Sequence, residues 1–231
     1  MNALHLLVRN PFFSILFTLL AYWLAVVLQR RWRWIPPIVV TCLPIVCLLL
    51  LLREPYQAYN RGGEYLTWFL GPTTVALAVP MYRHGKTLRS SLPRLALIVL
   101  AGSVVGMTTA GLTARMLGAP LPVIMSTLPK SVTTPIAIEV CRELKGIPQI
   151  TIAMVIAAGI LGASLGVPLL RLVGVRDDRA IGAAMGTSAH GIGTSSLVPH
   201  SEMQATVSSW AMAAAGVFTS LLAALMAHFL R

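Results

Sequence analysis

With 231 residues, 56% of them hydrophobic and 11% charged, the chain has more apolar surface than a soluble domain of this length can bury, so its solvent is a bilayer. The net charge of +11 does not mark a nucleic-acid partner, because the basic residues gather at the ends of apolar runs and form no continuous face for a phosphate backbone. The longest polar connection, Arg53–Glu64, leaves no room for a soluble domain, and one membrane domain over 1–231 is expected.

Pro11–Leu28 is apolar throughout and lacks a small-x-small cleavage site, so it reads as a first span rather than a signal peptide. Arg30, Arg31 and Arg33 follow, interleaved with Trp32 and Trp34 as in an interfacial aromatic belt. The later apolar runs are Ile35–Leu52, Tyr65–Tyr82, Leu95–Leu117, Leu121–Val140, Ile150–Val173, Ala180–Val198 and Thr206–Leu230. Each is near the length of about 20 residues that crosses hydrocarbon. A second basic cluster, Arg83, Lys86, Arg89 and Arg94, separates the third run from the fourth. Cys42, Cys47 and Cys141 show neither CxxC spacing nor neighbouring histidines; Cys42 and Cys47 lie in an apolar run and read as packing residues, with no metal and no cofactor expected.

Three runs are interrupted, at Gly71-Pro72, at Pro129–Pro135 and at Gly186–Gly193. A break at membrane depth frees backbone groups that must find protein or water-lined partners, and carriers use such places to bind solutes. The second and third breaks echo one another 60 residues apart: Met125 and Met185, Thr127 and Thr187, Thr134 and Thr194, with Lys130 opposite His190. Gly102 and Gly106 stand in the same relation to Gly162 and Gly166, and the register reaches back to Thr67 and Thr74. This reads as an internal repeat, against chance matching among Thr- and Gly-rich segments. The small-xxx-small glycine pairs read as ordinary close helix contacts in preference to a sliding face. If all eight segments cross, the basic residues divide almost evenly between the two sides. If the fifth and seventh instead re-enter, both strongest basic clusters share one side, presumed cytoplasmic, and the N-terminus lies outside. The expected fold is therefore an all-α integral membrane protein of about seven or eight hydrophobic segments. Two of these are discontinuous or re-entrant helices, entering from opposite faces in an inverted-repeat-like carrier arrangement.

Lys130 carries the strongest chemical signal. A charge near the centre of an apolar segment costs about 3 kcal/mol unless it is paired or hydrated, and an anionic substrate would supply the partner. Ser131, Thr133 and Thr134 surround it, with Pro129 and Pro135 loosening the backbone. His190 is a donor or coupled-proton candidate, set between Thr187, Ser188 and the glycines Gly191 and Gly193, which permit unwound backbone. Thr187, Ser188, Thr194, Ser195 and Ser196 can bond a hydroxylated solute or the preceding helical turn. Glu139 is a second proton-coupling candidate, though a carboxylate at an interfacial helix end is the plainer reading. There is no HExxH and no carboxylate pair inside a span, so an enzyme is not expected.

The stretches FLGPTTVALAVPMY (Phe69–Tyr82), LPKSVTTPIAIEV (Leu128–Val140), GILGASLG (Gly159–Gly166) and GTSAHGIGTSSL (Gly186–Leu197) closely resemble the LrgB/CidB family of bacterial membrane proteins. The resemblance runs along nearly the whole chain and is densest from Phe69 onward. It implies a multi-pass protein of the bacterial cytoplasmic membrane, working with a smaller LrgA/CidA-type partner in a homo- or hetero-oligomer. Two functions are implied. The older is holin/antiholin-like regulation of murein hydrolase export and autolysis. The other follows the related plastid protein, which resembles a glycolate/glycerate carrier, and bacterial relatives linked to pyruvate movement. Ser195-Ser196 departs from the family pattern, where Ala or Arg is more usual, and this leaves substrate detail open. The expectation is a proton- or cation-coupled carrier of small monocarboxylates, with Lys130 neutralising the carboxylate and the hydroxyls orienting it.

Overall fold

Apolar runs with no interior breaker fold as single long helices, whereas those interrupted by Pro and Gly do not. A computed structural model describes residues 8–31, 37–69, 72, 82, 89 and 91–230, all in helices and the turns between them. The chain forms two compact units, Met1–Leu77 and Ala78–Arg231. Four described helices are long and apolar enough to cross a membrane: Pro11–Arg31, Leu92–Met116, Pro148–Leu172 and Glu202–Phe229, with a shorter apolar helix at Pro37–Leu52. Among the described residues the protein is all-helical, and its long apolar helices mark a membrane protein.

In the first unit, helix α1 (Pro11–Arg31) packs against α2 (Pro37–Leu52) and α3 (Tyr56–Thr67). Ser14, Ala21 and Ala25 are its buried residues, while Leu16, Leu19 and Trp23 are exposed, as suits a helix bathed by lipid. The polar connection expected over Arg53–Glu64 is largely helical, because α3 has an anchoring face. The buried Tyr59 donates its hydroxyl hydrogen to the Ser14 carbonyl at 3.2 Å and lies 2.8 Å from the Thr18 hydroxyl. Gly62 lies so close to α1 that a Cβ there would stand 2.6 Å from that of Ser14. Arg9 donates to the buried Glu54 at 3.1 Å, so the carboxylate ahead of α3 is not left uncompensated.

The third apolar run beyond Phe69 lies outside the described residues apart from Pro72 and Tyr82, and with it the break at Gly71. Thr74, Arg33, Trp32, Trp34, Arg83 and Lys86 also lie outside them.

The second unit is built on three long helices: α4 (Leu92–Met116), α7 (Pro148–Leu172) and α9 (Glu202–Leu230). Helices α4 and α9 run parallel. Leu95 meets Val207, Val99 meets Ala211 and Ala215, and Met107 meets Ala223 and Ala227, in step along both chains. Helix α7 runs the other way and contains a π turn at Gly162–Gly166, flanked by α-helix on both sides.

Two shorter elements fill the space between the long helices. The interrupted run Leu121–Val140, expected as discontinuous or re-entrant, is α5 (Leu121–Thr127), a turn, and α6 (Thr134–Glu143) folded back on α5. Ile124, Met125 and Leu128 share a core with Val140 and Leu144, and Ser126 accepts from the Ile147 amide at 2.7 Å. The interrupted run Ala180–Val198, expected as discontinuous or re-entrant, is α8 (Asp178–Leu197), which reverses at His190. Ile181 and Met185 pack with Leu197 and Ala205, and the carbonyl of Met185 would lie 3.4 Å from a Cβ at Gly193. Both segments are helical hairpins because Pro and Gly interrupt the backbone ladder at mid-run, and an apolar pattern alone cannot distinguish a crossing from a reversal.

Each hairpin follows a glycine in left-handed backbone, Gly118 at φ 73° and Gly174 at φ 87°. Gly118 donates to Arg115 and Ala119 to Ala114, and the pattern recurs with Gly174 to Arg171 and Val175 to Leu170, ending α4 and α7 alike.

Candidate functional site

The first reversal is made by prolines and tight turns. The Lys130 amide donates to Thr127 and that of Val132 to Pro129, both at 3.3 Å, and Thr133 is extended at φ −64°, ψ 147°. Pro135 then sits in the first turn of α6, where a missing N–H costs nothing. The second reversal rests on one residue. His190 has φ 42° and ψ −137°, a conformation suited to glycine. Its surroundings hold it there: Nε2–H donates to the Val155 carbonyl at 2.9 Å, and Thr194 Oγ1 donates to the His190 carbonyl at 2.7 Å. The two reversals meet on the same stretch of α7, since Val132 packs with Val155.

A cleft of about 450 Å³ lies between α4, the tip of the first hairpin and the first arm of α8. One end is polar, formed by Lys130 and Ser131 from the first hairpin and by Thr187 and Ser188 from the second. Leu95, Ile98 and Ala183 line the middle, and Asp177 and Arg179 stand at the other end, where α8 begins. Lys130 Nζ donates to Ser131 Oγ at 3.1 Å, and among the described residues no carboxylate pairs with it. Gly102 and Gly106 form the α4 wall. A Cβ at Gly102 would come within 3.0 Å of Thr187 Cγ2, and one at Gly106 within 3.8 Å of Ser131 Oγ. The first glycine pair therefore borders the cleft rather than serving a plain helix contact. Gly162 and Gly166, 60 residues further on, pack against Ala189 and Met185 on the second hairpin.

Thus four of the expected site residues come together: Lys130, Ser131, Thr187 and Ser188. Thr133 and Thr134 are half-buried at the start of α6 and do not line the cleft. His190 and Thr194 are buried, and Thr194 also lies 2.8 Å from Ser208 Oγ, joining the returning arm to α9. Gly193 is buried where the arms touch, and a Cβ at Gly191 would make ordinary contact with Met212 Sδ at 3.8 Å. Ser195 and Ser196 donate to backbone carbonyls of their own arm. Glu139 is exposed on α6 and accepts from Arg142 at 2.7 Å, away from the cleft. Asp177 and Arg179, at the far end of the cleft, were not among the expected site residues.

The second hairpin is clamped at its base. Asp177 caps α8 by accepting from the Ala180 amide at 2.9 Å, worth about 1 kcal/mol. Asp178 accepts from Ser201 Oγ and Gln204 Nε2, both at 2.7 Å. These two bonds, with Arg171 nearby, hold the Asp178 carboxyl below the usual carboxylate range. Gly182 and Gly186 let α8 lie directly on α9, so close that a Cβ at Gly186 would run into the Ser208 carbonyl oxygen.

The sequence pattern that defines the LrgB-like family matches residues 18–229, across both units. The chain belongs to the LrgB-like family. Among its LrgB-like relatives, the Bacillus subtilis protein YwbG is 36% identical over 219 residues, covering 94% of this chain and 97% of the relative. A Staphylococcus epidermidis protein named holin-like protein CidB is 30% identical over 210 residues, 90% of this chain and 92% of its own. A Bacillus mycoides protein named antiholin-like protein LrgB is 28% identical over 213 residues, 91% of this chain and 93% of its own. No solved structure matches the chain.

Proposed function

We propose that this LrgB-like protein is a carrier of small monocarboxylates of the glycolate, glycerate or pyruvate type in the bacterial cytoplasmic membrane. The supporting observation is the cleft that ends on Lys130, an ammonium with no acidic partner among the described residues, bordered by both hairpins. A carboxylate entering past Arg179 would complete the charge that Lys130 leaves unpaired. The two hairpins are read as re-entrant elements from opposite faces, since α4 and α9 run one way and α7 the other. Coupling to a proton or cation, with His190 as the nearest titratable group on the second tip, belongs to the same reading, as does a small LrgA/CidA-type partner in the working assembly.

The relatives' names favour a second reading, holin-like or antiholin-like control of murein hydrolase export through membrane permeability. A nonspecific hole has no need of polar groups gathered at one end of a cleft. Uptake of labelled glycolate and pyruvate into proteoliposomes, with and without the small partner and under an imposed pH gradient, separates the two. Saturable uptake competed by glycerate supports the carrier. Leak graded by solute size supports the holin-like reading.

A further inference from the structure

A second groove, of about 410 Å³, lies in the first unit at the end of α2, lined by Val46, Leu49, Leu50, Arg53, Glu54 and Tyr56. Val46, Leu49, Leu50 and Arg53 follow helical spacing, so an apolar face of α2 runs straight into a guanidinium. Val46 and Arg53 are two turns apart, about 10.5 Å. Val46, Leu50 and Arg53 are all exposed. The balance of charge there is positive. Glu54 is buried and taken up by Arg9, whose Nε and Nη2 donate to it at 3.1 and 3.2 Å. The Tyr56 hydroxyl donates to Asn60 Oδ1 at 2.8 Å. Among the described residues no acidic group pairs with Arg53.

Arg53 also occupies a position that glycine fills more easily. It stands at φ 51°, and its amide and that of Glu54 donate to the Leu50 and Leu49 carbonyls at 3.2 and 3.1 Å. The same cap ends α4 and α7, where Gly118 and Gly174 take the left-handed place. Helix α2 therefore presents a guanidinium at this point in spite of backbone strain.

We propose that this groove binds an anionic phospholipid, with the phosphate on Arg53 and the start of an acyl chain along Leu50, Leu49 and Val46. A guanidinium donates two parallel N–H bonds to phosphate oxygens, and the apolar face beyond it takes the part of the ligand that water would reject. The order of charge and apolar surface in the groove is the order of headgroup and chain in the lipid. A zwitterionic lipid brings its own cation to a positive site and is held less tightly. The site is independent of the cleft beside Lys130 and of the carrier reading.

The test uses the purified full chain in a nonionic detergent, read by thermal midpoint and by native mass spectrometry. The probes are phosphatidylglycerol, phosphatidylcholine and inorganic phosphate. Phosphatidylglycerol is expected to raise the midpoint more than phosphatidylcholine, and phosphate to leave it unchanged. Arg53→Gly should move the two readouts in opposite directions. Without lipid it melts later than the unaltered chain, because glycine accepts φ 51°. Its affinity for phosphatidylglycerol falls about tenfold, to the level of phosphatidylcholine. Arg53→Lys keeps the charge and retains the preference. An arginine with only a structural role would not separate stability from lipid binding in this way. Equal stabilisation by the two lipids, a preference that survives in Arg53→Gly, or stabilisation by phosphate alone overturns the assignment.

Discussion

The two hairpins of the second unit share a plan and differ at their tips. In the first, prolines make the turn and leave Lys130 half-exposed at the polar end of the cleft. In the second, the turn depends on His190 in glycine-like backbone, buried and bonded to Val155, while the polar groups facing the cleft lie on the arm before it. Matching sequence positions therefore have different surroundings: Lys130 lines an open cleft, and His190 holds the backbone. The two segments share a reversal of the chain and differ in the chemistry at its apex.

The largest test of that contrast is charge. Lys130→Ala is expected to lower carboxylate uptake in proteoliposomes about a hundredfold, the weight of a charge-assisted contact out of water, with little change in thermal stability. Unchanged uptake would remove Lys130 from the site. Next comes the seating of the second hairpin. Gly186→Ala forces a methyl into the Ser208 carbonyl and should cost about 2 kcal/mol, read as earlier unfolding in detergent.

At the tip itself, His190→Gly should be more stable than His190→Ala by about 1 kcal/mol, because glycine accepts φ 42° without strain. Equal stabilities would mean that the histidine backbone is not what the fold must hold. The smallest effect is the response to acid. The Asp178 carboxyl is held below its ordinary value, so its contribution is complete above the unfolded carboxylate pKa of about 4 and disappears as pH falls through the folded value. Thermal midpoints measured from pH 7 downward should stay level to about pH 5 and then fall, less steeply in Asp178→Asn than in the unaltered chain.

Much of this was legible in the chain. Apolar runs of membrane length announced α1, α4, α7 and α9, and their ends lie within a few residues of the expected ones. The repeat register placed Lys130 and His190 opposite one another, and both do stand at reversals. Helix α3 was missed because its polar composition resembles a connection, whereas a single tyrosine and a close glycine dock it on α1.

Composition and periodicity determined the solvent, the helical class and where the ladder of hydrogen bonds had to break, since these follow from backbone groups that lipid cannot satisfy. Only tertiary structure decided that the broken runs double back, that Gly102 and Gly106 wall a cleft, and that Glu139 points away from it. The physical reason is that a break removes a local constraint without supplying a direction. The direction comes from packing against α4, α7 and α9, distant in sequence, and that same packing leaves Lys130 facing the cleft while burying His190.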